Sequence, residues 1–103
     1  MKNILLSADS EISVFLVPDK VADHLKQYCL EFFCNWLYNS PNAEKYRVKM
    51  GDEMGVCYNE KDFIDYLNQY ICDEQSVLIK TFTNVYEKDK IPEKYIGLPY
   101  FNF

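Results

Sequence analysis

Apolar residues change period along the chain, and each change marks an element. Ile4–Ser7 and Ile12–Val17 are rich in β-branched and aliphatic residues and are divided by Ala8-Asp9-Ser10-Glu11. They predict two strands joined by a tight connection. In the second run Ile12, Val14 and Leu16 share one face, and Ser13, Phe15 and Val17 share the other. The first face is wholly aliphatic and the second is mixed.

At Pro18 the period becomes helical. Proline suits the first helical turn, and Asp19 can meet free N–H groups and the positive end of the dipole. The pattern predicts a helix over 19–39, stopped by Asn39-Ser40-Pro41-Asn42. A second helix is predicted over 60–72. Asn59 is a good N-cap, and Asp62 stands at the third helical position, where it completes a capping box.

Between these helices Tyr46, Val48 and Met50 alternate with Arg47 and Lys49, which predicts a half-buried strand. Gly51 to Gly55 turns the chain, and Val56–Tyr58 is a candidate return strand. Val77–Thr83 is the clearest late strand. Residues 91–103 hold Pro92 and Pro99 with Tyr95, Tyr100, Phe101 and Phe103, and are expected to be an irregular tail packed on the body. Strands and helices do not alternate regularly. The expected fold is therefore a single α+β domain over 1–103: a two-layer sandwich of an antiparallel or mixed sheet with two main helices on one face.

The stretch Tyr28–Tyr38 raises the first chemical question, because it holds Cys29, Cys34, Trp36 and four other aromatics. On a regular helix, at about 100° per residue, Val21, Ala22, Leu25, Tyr28, Cys29, Phe32, Phe33, Trp36 and Leu37 fall within one half of the circumference. Cys29 and Cys34 lie about 140° apart, too far around the axis to share a metal or a disulfide. Cys29 reads as a small core residue. Leu30, Cys34 and Tyr38, spaced i, i+4, i+8, form a second apolar ridge on the polar side. Either the tail or a loop covers that ridge, or it is a contact face for another protein or a second copy.

Composition narrows the classes. The formal net charge is −5. The excess sits in residues 51–76, where Asp52, Glu53, Glu60, Asp62, Asp65, Asp73 and Glu74 face one base, Lys61. Part of this is explained by Glu60, Asp62 and Asp65 opening a helix. Lysine and arginine are scattered, and Arg47 is the only arginine. Neutralising a phosphate backbone needs clustered bases, so binding to nucleic acid or anionic lipid is not expected. The first apolar run ends after about four residues, shorter than a signal h-region, and no run approaches the ~20 residues of a membrane span. A cytoplasmic protein with reduced thiols is expected.

Cysteines at 29, 34, 57 and 72 match no zinc-ribbon or CxxC spacing. The only histidine is His24. A thiol enzyme would have to pair it with Cys57, just before the Asn59 cap. The plainer reading makes Cys57 a core-facing strand residue and His24 a solvated helix residue. Asp52 with Glu53, Asp62 with Asp65, and Asp73 with Glu74 are carboxylate pairs without the further ligands a hard cation needs. There is no glycine-rich phosphate loop and no hydrolase or kinase motif.

No catalytic residue, metal or cofactor is expected. The leading expectation is a small acidic, non-catalytic protein-binding module, of inhibitor or immunity type. The heavy use of lysine, asparagine, isoleucine and tyrosine suggests AT-rich coding, as in a low-GC bacterium or its mobile elements. Its expected contact residues are Leu30, Cys34, Tyr38, Asp52, Glu53, Asp62, Asp65, Asp73 and Glu74. The alternatives are a small thiol- or metal-dependent enzyme built on Cys57 and His24, and a structural homo-oligomer.

Overall fold

Residues 1–8, 11–83 and 91–103 are described by a computed structural model. The two predicted N-terminal strands form as β1 (Lys2–Ala8) and β2 (Glu11–Val17), paired antiparallel from Lys2↔Val17 to Ala8↔Glu11. The sheet continues on both sides. β5 (Val77–Phe82) pairs antiparallel with β2, and β6 (Tyr100–Asn102) pairs parallel with β1, giving the order β5-β2-β1-β6. The fold is a compact α+β domain with a mixed four-stranded sheet and a separate two-stranded one.

The central strands are covered on both faces. Ile4, Leu6, Phe15 and Val17 pack against the helices through Val21, Leu25, Cys29, Phe32, Phe63 and Leu67. On the opposite face Leu5, Ile12 and Val14 pack under Ile91 and Tyr95. This double cover is why Ile4-Leu5-Leu6 is a continuous apolar run rather than an alternating one.

The tail supplies the second cover and then joins the sheet. Gly97, at φ 94°, turns the chain in a region that residues with a Cβ rarely adopt. Leu5 N then donates to Pro99 O at 2.8 Å, and Phe103 N to Ser7 O at 2.9 Å. Strand alternation places Phe101 and Phe103 among the helices and Tyr100 on the far face, where its hydroxyl lies 2.8 Å from Ser7 Oγ. The expected irregular tail is thus corrected over 100–102. Its strand depends on a partner some 95 positions earlier, which no local pattern discloses.

The first predicted helix spans its expected range but is not uniform. It comprises α1 (Asp19–Asp23), α2 (Leu25–Leu30), a π-helical stretch over Glu31–Trp36, and α3 (Leu37–Asn39). His24, at φ −131° and ψ 37°, leaves helical geometry between α1 and α2. Asp19 does not cap the helix; its carboxylate pairs with the Met1 amino group at 2.8 Å. Arg47 finishes α3, donating from Nε to Leu37 O at 2.8 Å and from Nη2 to Ser40 O. A cation suits those free carbonyls and the negative end of the dipole.

The second helix is α4 (Glu60–Tyr66), extended by a π-helical stretch over Leu67–Ile71. The Asn59 box forms in full: Asn59 Oδ1 accepts from Asp62 N at 3.1 Å, and Asp62 Oδ2 accepts from Asn59 N at 2.9 Å.

β3 (Arg47–Met50) and β4 (Glu53–Val56) form an antiparallel hairpin apart from the main sheet. Here alternation misleads. Val48 and Met50, expected to be inward, are 41% and 61% exposed. Among the described residues neither Val48 nor Met50 belongs to a core cluster, and neither face of β3 is fully buried. β4 also ends before Cys57 and Tyr58, which were expected to belong to the return strand.

β5 is an edge strand. Val77, Leu78 and Ile79 remain nearly half exposed, and the register with β2 shifts so that Ile79 has no partner there. An irregular register and the charge of Lys80 both discourage pairing with a foreign strand.

Candidate functional site

The ridge predicted on the first helix lies at the surface. Leu30 is 36% and Tyr38 43% exposed, and Cys34 between them is exposed. The tail does not reach it. The Phe101 ring meets Phe33 at a tilt, with centroids 5.9 Å apart, and Phe103 meets Phe32 edge-on at 6.1 Å. Both rings therefore cover the aromatic side of the helix and leave Cys34 open.

Cys29 and Cys34 occupy different environments despite the π-helical turn between them. Cys29 is fully buried and burial pushes its thiol pKa upward, whereas Cys34 is exposed. Tyr58 borders the ridge. Its ring meets Phe32 at 5.5 Å and Phe103 at 5.7 Å. Burial raises its phenol pKa, and the neighbouring Tyr38 and Cys34 add to the effect. The ridge is thus the outer margin of an aromatic cluster centred on Phe32.

The acidic residues of 51–76 are spread over several elements. Asp52 and Glu53 lie at the hairpin turn, in a shallow cleft shared with Arg47 and Lys49. Asp62 is engaged in the α4 cap, and Asp65 is exposed on the same helix. Asp73 and Glu74 follow Cys72 and border a cleft with Asp19 and Lys20. Each of the two clefts therefore has bases among its acids.

The pair considered for thiol chemistry is not joined by a hydrogen bond among the described residues. His24 lines a cleft with Gln27, Tyr28, Glu31, Tyr66 and Ile71, and Cys57 is not part of it. Cys57 is exposed rather than core-facing. The chain leaves β4 there, with Cys57 N donating to Tyr46 O at 2.8 Å. Among the described residues no group of three or more histidine, cysteine, aspartate or glutamate side chains is placed to hold a metal ion. No helix among them is long and apolar enough to cross a membrane.

One polar cluster went unread in the sequence. Glu60, in the first turn of α4, is only 2% exposed. Its Oε1 accepts a long hydrogen bond from Ser13 Oγ at 3.4 Å, and Ser13 Oγ lies 3.0 Å from Thr81 Oγ1 on β5. Glu11 stands two residues before Ser13 on the same strand. Burial, above all, raises the Glu60 pKa from its ordinary value. The available signal was the mixed face of β2, where Glu11 and Ser13 precede Phe15 and Val17 with period two.

Comparisons with protein-family models, with curated proteins and with solved structures find no match to this chain.

Proposed function

We propose that the protein is a non-catalytic protein-binding module whose contact face is the Leu30–Cys34–Tyr38 ridge. The observation that carries this reading is the exposure of the ridge. Two apolar side chains and a thiol stand at i, i+4, i+8 along one line, and the chain's own tail packs beside them rather than over them. A line of helical anchors at this spacing is what a protein groove or a facing helix recognises. Tyr38 supplies the amphipathic ring that protein contacts favour.

The dispersed acids Asp52, Glu53, Asp65, Asp73 and Glu74 serve this function at long range, speeding encounter with a basic partner without fixing its position. An inhibitor of a basic enzyme is the concrete form of the proposal, acting in the cytoplasm of a low-GC bacterium.

The test is affinity capture from lysate with the full chain, Cys34→Glu and Asp73→Asn, each at low and high salt, alongside light scattering of the purified protein. A protein captured by the wild type and by D73N but lost with C34E supports the proposal. Equal capture by all three overturns it. A mass twice that of the chain in light scattering, abolished by C34E, replaces it with a homo-oligomer seam.

A further inference from the structure

His24, Gln27, Tyr28 and Glu31 stand at i, i+3, i+4 and i+7, so one face of the first helix carries an imidazole, an amide, a phenol and a carboxylate. All four line one open cleft of about 280 Å³, together with Tyr66 and Ile71 from the second helix. Both π-helical stretches end at this cleft. Glu31 opens the first, Tyr66 immediately precedes the second, and Ile71 closes it. Single π-helical turns recur at functional sites.

Tyr66 is the decisive group. It is 3% exposed, and its ring packs against Phe32 at 5.2 Å and Trp36 at 4.8 Å. Among the described residues its hydroxyl has no hydrogen-bond partner, yet Ser76 Oγ is the one fully enclosed side-chain polar atom left unsatisfied among them. The Tyr66 hydroxyl therefore keeps an opening to solvent, and the cleft it lines is that opening. Glu31 sets the sign of charge. Its Oε1 accepts from the Asn35 amide, which is itself held by Asn39 at 2.8 Å, and its second oxygen is free among the described residues. No lysine or arginine lines this cleft, unlike the two clefts that mix bases with acids. Burial first, and the Glu31 carboxylate next, push the Tyr66 phenol up to about 12, so the surroundings disfavour a second negative charge and suit a positive one. Tyrosine ring faces attract a cation as well.

We propose that this cleft binds a small organic ammonium ion, whose N–H groups donate to the free Glu31 oxygen and to the Tyr66 hydroxyl while its alkyl chain lies along Tyr28 and Ile71. His24 and Gln27 form the outer rim. The ammonium belongs either to a free amine or to a lysine side chain. The inference does not depend on the ridge having a partner, since Leu30, Cys34 and Tyr38 lie outside the cleft.

The test is a titration of the full chain, followed by amide NMR, with butylammonium chloride and with Nα-acetyl-lysine methylamide. Butanol and sodium butyrate serve as controls of the same chain length. The amines are expected to shift the amides of Gln27, Tyr28, Glu31, Tyr66 and Ile71 along one saturating curve, and the controls are not. Tighter binding of the lysine derivative assigns the site to a lysine side chain, and the reverse order assigns it to a free amine. Glu31→Gln is expected to weaken butylammonium binding about tenfold, and Tyr66→Phe about threefold. Butanol binding as tightly as butylammonium overturns the ammonium, and so does E31Q binding as tightly as the wild type. Shifts that never saturate and spread over Asp52, Asp65 and Asp73 overturn the site, because they report counterions around the acids. Y66F binding as tightly as the wild type overturns the role of Tyr66. If Y66F does not fold, E31Q, at an exposed position, still decides the site.

Discussion

Phe103 lies 6.1 Å from Phe32, ring centroid to ring centroid, although seventy-one positions separate them in the chain. Phe32 also meets Trp36, Tyr58, Phe63 and Tyr66. One ring therefore joins the first helix, α4, the segment after β4 and the strand that closes the sheet. Its burial and ring contacts predict that Phe32→Ala costs roughly 3–5 kcal/mol. Phe103, which is only partly buried, should cost roughly 2 kcal/mol, below the range for fully buried rings. Urea unfolding of both variants checks the order. A Phe103→Ala variant as stable as the wild type would exclude a structural role for the tail.

Thiol reactivity should divide the four cysteines into two pairs. Cys34 and Cys57 are exposed and should alkylate in the native protein. Cys29 and Cys72 are buried, and burial raises both their pKa values. They should label only on unfolding. Mass spectrometry after timed alkylation resolves the sites.

Asn59→Ala should destabilise by about 1 kcal/mol, because it leaves the amides of Lys61 and Asp62 without their acceptor. The loss should appear first as faster hydrogen exchange in α4. Asn59→Asp should restore most of the stability, since its carboxylate accepts the same bonds.

Stability should also carry a pH slope of definite sign. The folded protein holds the Glu60 proton more tightly than the unfolded chain does. That contribution is complete below the unfolded glutamate value, about 4.3, and is lost as pH rises through the folded one. Asp19 works the other way: the amino group that bonds it lowers its pKa, so its contribution is lost as pH falls. The difference between wild type and E60Q isolates the first effect. Urea midpoints from pH 4 to pH 8 should show the wild type losing ground to E60Q as pH rises.

Local pattern made some of this legible and left the rest unread for identifiable reasons. β1, β2 and the Asn59 cap depend on neighbours within a few residues, so spacing alone located them. The exposure of Val48 and Met50 was not legible, because alternation distinguishes two faces without saying which one another layer covers. The ridge was visible as a line of residues, yet its exposure depends on where Phe101 and Phe103 settle. The Ser13–Glu60 hydrogen bond joins a strand to a helix forty-seven positions later. Glu60 by itself resembles any acid at a helix start. The π-helical turn over 31–36 has no pattern of its own, since the same aromatics would form an apolar stripe on a regular helix.

The parallel pairing of β6 with β1 bears on the order of events during synthesis. β1 leaves the ribosome some 95 residues ahead of its parallel partner, so its outer edge must wait for residues 100–102. Until then β1 and β2 form a hairpin whose long apolar run lacks both its neighbour on one side and the cover from Ile91 and Tyr95. Closing so long a loop is slow compared with helix formation. The nascent chain therefore passes through a period in which Ile4-Leu5-Leu6 is open to holding chaperones, and release from them should coincide with emergence of Phe103.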